Sequence, residues 1–183
     1  MTVASIINFA FWMAWLAYWI VAARSAAGGA SFERRASRLL HLVAALISLA
    51  ALLFRPVHFG LPGGGALDVA GDLVTGFGLA FAIWARIHLG QCWSGRVEVK
   101  QGHRVVRTGP YAWVRHPIYA GILMAIAGSA MVAGELSAFL AVVIMTAAYV
   151  RKIRMKEAVL RQSFGSEYEA YQSEVKTLVP FVV

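Results

Sequence analysis

The sequence predicts an all-α, polytopic membrane protein with about five transmembrane helices. Three observations carry that prediction. Sixty per cent of the 183 residues are hydrophobic, only 14% are charged, and mean hydropathy is +0.66. A soluble domain of this size carries about a quarter charged residues, so lipid covers much of this surface. The apolar residues fall into five runs, and none alternates with period two, which argues against an outer-membrane barrel.

The first run, Ala4 to Ala23, has no Lys or Arg before it and is long enough to cross a bilayer. It reads as a retained helix rather than a cleaved signal peptide. Leu39 to Phe54 is short and almost purely aliphatic, with Arg38 and His41 at its polar start. Val69 to Ile87 carries Asp72 near its beginning. A carboxylate is costly in lipid, so Asp72 either faces inward or reaches water at the helix end. Ile118 to Ala133 and Leu136 to Val150 are separated by Gly134-Glu135, the signature of a tight helical hairpin. From Leu136 to Ser163 there is no Pro or Gly, so one helix can leave the membrane and continue into water.

Charge sets the orientation. All but Arg55 of the 17 Lys and Arg residues fall on alternate connections. These are Arg24, Arg34, Arg35 and Arg38; then Arg86, Arg96, Lys100, Arg104, Arg107 and Arg115; then the tail from Arg151 to Lys176. The positive-inside rule puts that side in the cytosol, with the N-terminus outside and the C-terminus inside. The net charge of +8 is therefore a topology signal, with attraction to anionic membrane lipids second, and nucleic-acid binding is not expected. The single cysteine, Cys92, excludes an internal disulfide and offers no metal-ligand spacing, so no metal is expected. Residues 1–85 read as three membrane helices, and 86–183 as the region that carries chemistry.

Between His88 and Gly121 lies the densest polar stretch. It turns at Gly109-Pro110 and ends in Arg115-His116-Pro117. Pro117 suits the first position of the fourth helix, where its missing N–H costs nothing. Arg115 and His116 then sit at a helix N-terminus, which favours an anion, and Arg115 adds a carboxylate-binding fork. Tyr111, Trp113 and Tyr119 stand nearby as stacking or hydrogen-bonding groups. Interfacial anchoring explains these residue types equally well.

The strings Thr108-Gly109-Pro110-Tyr111 and Val114-Arg115-His116-Pro117-Ile118-Tyr119-Ala120-Gly121 resemble the isoprenylcysteine carboxyl methyltransferases and the related phospholipid N-methyltransferases. Leu89-Gly90, Trp93-Ser94, Gly102-His103, Phe164-Gly165, Tyr168, Tyr171 and Pro180 extend the resemblance from about Arg86 to Pro180. It implies S-adenosylmethionine as cofactor and a lipid-like or prenylated small-molecule acceptor, with carboxylate O-methylation favoured because an amine must first lose a proton. It implies Arg115 and His116 around the methionine carboxylate, with Gln91, His103, Val105 and Tyr111 along the cofactor path and Pro117 and Tyr119 beside them. Glu157 would meet a hydroxyl pair or an ammonium, and Arg154 would orient an anionic acceptor. One departure stands out: the family carries paired glutamates before the Phe-Gly, and here Lys156 precedes Glu157. The implied setting is a multi-pass protein of a bacterial inner membrane with its site facing the cytosol. Ethanolamine N-methylation, a nicotinamide-dependent reductase (sterol reductases have a similar terminal segment) and a non-enzymatic scaffold are the competing readings.

Overall fold

A computed structural model describes residues 2–23, 30–31, 35–54, 65–93, 98–99 and 105–179. Helices α1 (Val3–Ala23), α2 (Arg35–Phe54), α3 (Ala66–Leu89), α4 (Pro117–Ala133) and α5 (Leu136–Phe164) occupy the five apolar runs, and a short α6 (Ser166–Glu174) follows. The only strands among the described residues are β1 (Ala30–Ser31) and β2 (Glu98–Val99), a two-residue antiparallel pair. The architecture is helical, as the lack of period-two patterning predicts.

Three helices, α1, α3 and α5, are long and apolar enough to cross a membrane. The apolar parts of α2 and α4 are shorter, Leu39–Ser48 and Pro117–Ala133. Large apolar side chains point outward along α1 and α2, with Phe9 55% and Leu46 64% exposed. Patches of that extent belong against lipid, and the chain is an integral, multi-pass membrane protein.

Helices α3 and α4 form the tightest seam. Gly71, Thr75 and Gly78 of α3 face Gly121, Ala125 and Gly128 of α4. A Cβ at Gly128 would lie 2.5 Å from the Gly71 carbonyl oxygen, so backbone meets backbone there. Between membrane helices such small-residue seams supply the packing that water-driven burial supplies elsewhere. A polar network ties α1 to this pair. The Asn8 amide donates to Asp72 (3.1 Å) and to Thr75 Oγ1 (3.0 Å), and Ser129 donates to Asn8 Oδ1 (2.9 Å). Asp72 therefore faces inward.

The predicted hairpin is present. Gly134 adopts φ 62° between α4 and α5, a left-handed conformation that glycine reaches without strain. Beyond Val150, α5 continues without interruption to Phe164, and that polar half carries Glu157. The late parts of α1, α3 and α5 and the early parts of α2 and α4 meet at one end of the bundle. That convergence places the site.

Candidate functional site

The connection between α3 and α4 returns to the bundle at Thr108. Gly109 starts a 3₁₀ turn (Gly109–Ala112) at φ 60°, where a Cβ would strike the His88 ring. Val114 then bridges Lys176, and the N–H groups of Arg115 and His116 donate to the carbonyls of Lys176 (2.8 Å) and Thr177 (3.1 Å). The segment after α6 is thus strapped alongside the start of α4. Pro117 is the first helical residue, as predicted, and His116 precedes it.

Arg115 acts as a buckle. Its Nε donates to Glu157 Oε1 (2.9 Å), one terminal nitrogen to the carbonyls of Gln172 (3.2 Å) and Val175, and the other to Thr177 Oγ1 (2.7 Å). His116 Nε2 reaches the same Glu157 oxygen at 3.1 Å, and Gln172 donates to Glu157 Oε2 at 2.9 Å. Burial lowers the His116 pKa, against an opposing pull from Glu157, so the neutral ring donates its Nε2 proton. Burial pushes the Glu157 carboxyl upward, but its hydrogen bonds from His116 and Arg115 outweigh that and bring it to about 2. Glu157 is an anion held from both oxygens.

Beside the buckle lies a cavity of about 270 Å³. Its walls are mainly aromatic. Trp15 and Trp19 of α1 stack with ring centroids 4.9 Å apart, and Trp19 meets Trp93 edge-on at 5.6 Å. Tyr119 lies between His116 and Tyr149, nearly parallel to both, at 5.8 and 4.5 Å. Lys152 and Lys156 enter from α5, with Lys156 Nζ 5.8 Å from the Tyr119 ring, and His41 comes from α2. From α6, Tyr168 and Tyr171 close the rim, and the Tyr171 hydroxyl donates to the Tyr111 carbonyl (2.6 Å). Burial raises both α6 phenols well above their ordinary value, so they remain proton donors.

The structure sorts the predicted residues. Val105, Tyr111, Arg115, His116 and Tyr119 all line the cavity. Pro117 is buried at the helix start behind them. Gln91 sits in the 3₁₀ turn Gly90–Cys92 beside the cavity-lining Cys92, with its side chain outside the described part, and His103 lies outside the described residues. Three further placements bear on the predicted roles. The Arg115 fork is engaged by four protein acceptors rather than offered whole to a ligand. Glu157 does not line the cavity, because Arg115, His116 and Gln172 hold it behind the wall. Arg154 is exposed and absent from the lining, since the face of α5 that carries Tyr149, Lys152, Lys156 and Leu160 turns it away.

Sequence reasoning missed Trp15, Trp19, Tyr149 and Lys152, and it named His41, Trp93 and Lys156 without assigning them to the site. A signal existed for some of them. Trp12, Trp15 and Trp19 recur at three- and four-residue spacing, and so do Tyr149, Lys152 and Lys156.

The sequence model of the isoprenylcysteine carboxyl methyltransferase (ICMT) family matches residues 73–162. That span covers most of α3, the polar connection with Arg115 and His116, α4 and most of α5. Over that stretch, just under half of its length, the chain is similar to the ICMT family. It is 33% identical over 101 residues to the protein-S-isoprenylcysteine O-methyltransferase of Schizosaccharomyces pombe, covering 54% of this chain and 43% of that one. A probable protein-S-isoprenylcysteine O-methyltransferase of Oryza sativa subsp. indica is 32% identical over 88 residues, 48% of this chain and 46% of the relative. The structure of the eukaryotic intramembrane Ras methyltransferase ICMT superposes with a TM-score of 0.56 at 24% identity, covering 82% of this chain and 55% of that one, and so shares the fold. The chain spans less than half the length of these curated relatives. Within the ICMT match, Lys156 stands beside the buried Glu157 and faces the cavity that Glu157 supports.

Proposed function

We propose that this protein is a membrane methyltransferase that moves a methyl group from S-adenosylmethionine to an anionic, lipid-like or prenylated acceptor, with a carboxylate favoured. One observation carries the reading: an aromatic cavity at one end of an apolar bundle, whose charged lining consists of Arg115, Lys152 and Lys156, with no carboxylate lining it among the described residues. A cationic wall favours an anionic acceptor over an ammonium. Methylating a carboxylate also needs no general base, and the lining offers no dedicated one. By the positive-inside rule, this end of the bundle faces the cytosol.

The residues present fit the cofactor. Stacked rings such as Tyr119 and Trp19 suit both a purine and a sulfonium, the latter by cation–π attraction. When bound, S-adenosylmethionine supplies an already electrophilic methyl group, so no metal is needed. The chain's part is positioning and exclusion of water. Tyr111, His116, Tyr119 and Val105 line the cofactor path, to which the family resemblance also assigns Gln91 and His103. Lys152 and Lys156 hold anionic groups, whereas Arg115 and Glu157 keep the walls in place. Residues 86–183 carry most of the site, and 1–85 close it with Trp15, Trp19 and His41.

Calorimetry of S-adenosylhomocysteine against the detergent-purified protein, with NADPH alongside, tests the proposal. Saturable binding of the nucleoside is expected, weakened about tenfold or more by Tyr119→Ala and unchanged by Arg154→Ala. Binding of NADPH without the nucleoside would replace the methyltransferase reading with a reductase.

A further inference from the structure

Arg86 belongs by sequence to the cationic connection after α3, yet it lies in the last turn of that helix and is only 5% exposed. Among the described residues no carboxylate pairs with it. A buried guanidinium needs compensation, and two helix ends supply it at the terminal nitrogens, while Nε has no hydrogen-bond partner among the described residues. One terminal nitrogen donates to the Ala22 carbonyl at the end of α1 (3.0 Å), the other to the Gly90 carbonyl at the end of α3 (3.1 Å). Helix C-termini carry partial negative charge, so both ties are favourable electrostatically as well as geometrically. The flat guanidinium also lies over the Trp93 ring, 4.3 Å from its centroid.

Each of those contacts leads to the cavity. α1 brings Trp15 and Trp19 to it, the turn after Gly90 brings Cys92, and Trp93 is itself a wall residue against which Trp19 packs. Helix α1 is mostly exposed, with only 6% of its apolar window buried, and at this end its rings Trp15 and Trp19 pack beside the Arg86 tie. Lipid gives no hydrophobic reason for such a helix to stay docked, so specific polar ties set its position. The Asn8 network holds the opposite end of α1, three turns away from Trp19. Arg86 ties α1 at the end that carries Trp19.

We infer that Arg86 is a positioning residue, which joins α1, the 3₁₀ turn and Trp93 into one wall of the ligand cavity without touching the ligand. The inference rests on the cavity being the methyltransferase site, but its structural part can be tested independently. Cys92, the single cysteine, stands in the turn that Arg86 holds and is part-buried, so its labelling by a small maleimide reports on the wall.

The experiment compares Arg86→Lys, which keeps the charge but loses the two-carbonyl fork, with Arg86→Met, which keeps the length and removes the charge. Both are measured in detergent on protein that elutes as a single folded species, by the rate of Cys92 labelling and by S-adenosylhomocysteine affinity. Loss of a charge-assisted hydrogen bond and its partner geometry predicts labelling about tenfold faster and affinity about tenfold weaker in whichever variant folds. A folded variant with the wild-type labelling rate overturns the inference. Failure of the wild type to bind the nucleoside sinks the methyltransferase reading instead, while the labelling rates still decide whether Arg86 holds the wall.

Discussion

Replacing Glu157 by Gln tests the buckle directly. The substitution keeps shape and volume but removes the charge that faces Arg115 and His116, whose side chains are 9% and 8% exposed beside an 11% exposed carboxylate. It also puts an amide N–H₂ on one of the two oxygens. If that group takes the Oε2 position it meets the Gln172 amide, donor against donor; if it takes Oε1 it meets two donors at once. At least one hydrogen bond is therefore lost and the Arg115 cation loses its counter-charge. Removing one partner of a buried pair costs about 3–5 kcal/mol, and the amide oxygen that still accepts from Arg115 reduces this to about 2–4 kcal/mol. For a chain of this length each kcal/mol moves the melting midpoint by roughly 2–4 °C, so tryptophan fluorescence of the detergent-solubilised variant should melt about 5–15 °C lower. Nucleoside binding should weaken along with it, because the cavity wall loosens. A variant that keeps the wild-type midpoint but loses nucleoside binding would refute the reasoning and return Glu157 to the role of a direct cofactor ligand.

Two further expectations concern acidity and packing. His116 has a folded pKa below its ordinary 6.5 and Glu157 one of about 2, below its ordinary 4.5. Both groups therefore bind protons more readily when unfolded, so the melting midpoint should be flat above about pH 7 and fall as pH drops below 6.5, through His116 first and Glu157 at stronger acidity; a midpoint that holds or rises between pH 7 and 5 would contradict the neutral, buried His116. Gly128→Leu should force α3 from α4, because even a Cβ would sit 2.6 Å from the Thr75 nitrogen and hydroxyl, and overpacking of this kind costs about 1–3 kcal/mol or more, read as a lower melting midpoint in the same fluorescence assay.

The hairpin at Gly134, the helix start at Pro117 and the long uninterrupted α5 were all legible in the sequence, and the inward Asp72 was one of the two placements it allowed. Each depends on local chemistry or on the bilayer as solvent: a glycine that turns left-handed, a proline without an N–H, a stretch with no helix breaker, a carboxylate that lipid rejects. The site was legible as a segment, since Val105 to Tyr119 carries motif residues close together in the chain. Their individual jobs were not. Arg115 at a helix N-terminus resembles an anion fork until Gln172, Val175 and Thr177 arrive from some sixty residues away to occupy it. Glu157 resembles a ligand until Arg115 and His116 enclose it.

What the sequence by itself determined is therefore the membrane setting, the helices and the stretch of chain where chemistry concentrates, because hydrophobic length, charge distribution and local backbone preference act within one segment. Which side chains face the cavity, and which of them are held by protein partners, was decided only by the tertiary structure. Trp15, Trp19 and His41 reach the cavity from α1 and α2, and Arg86 turns from a loop cation into a buried tie, through contacts between helices that no single segment encodes.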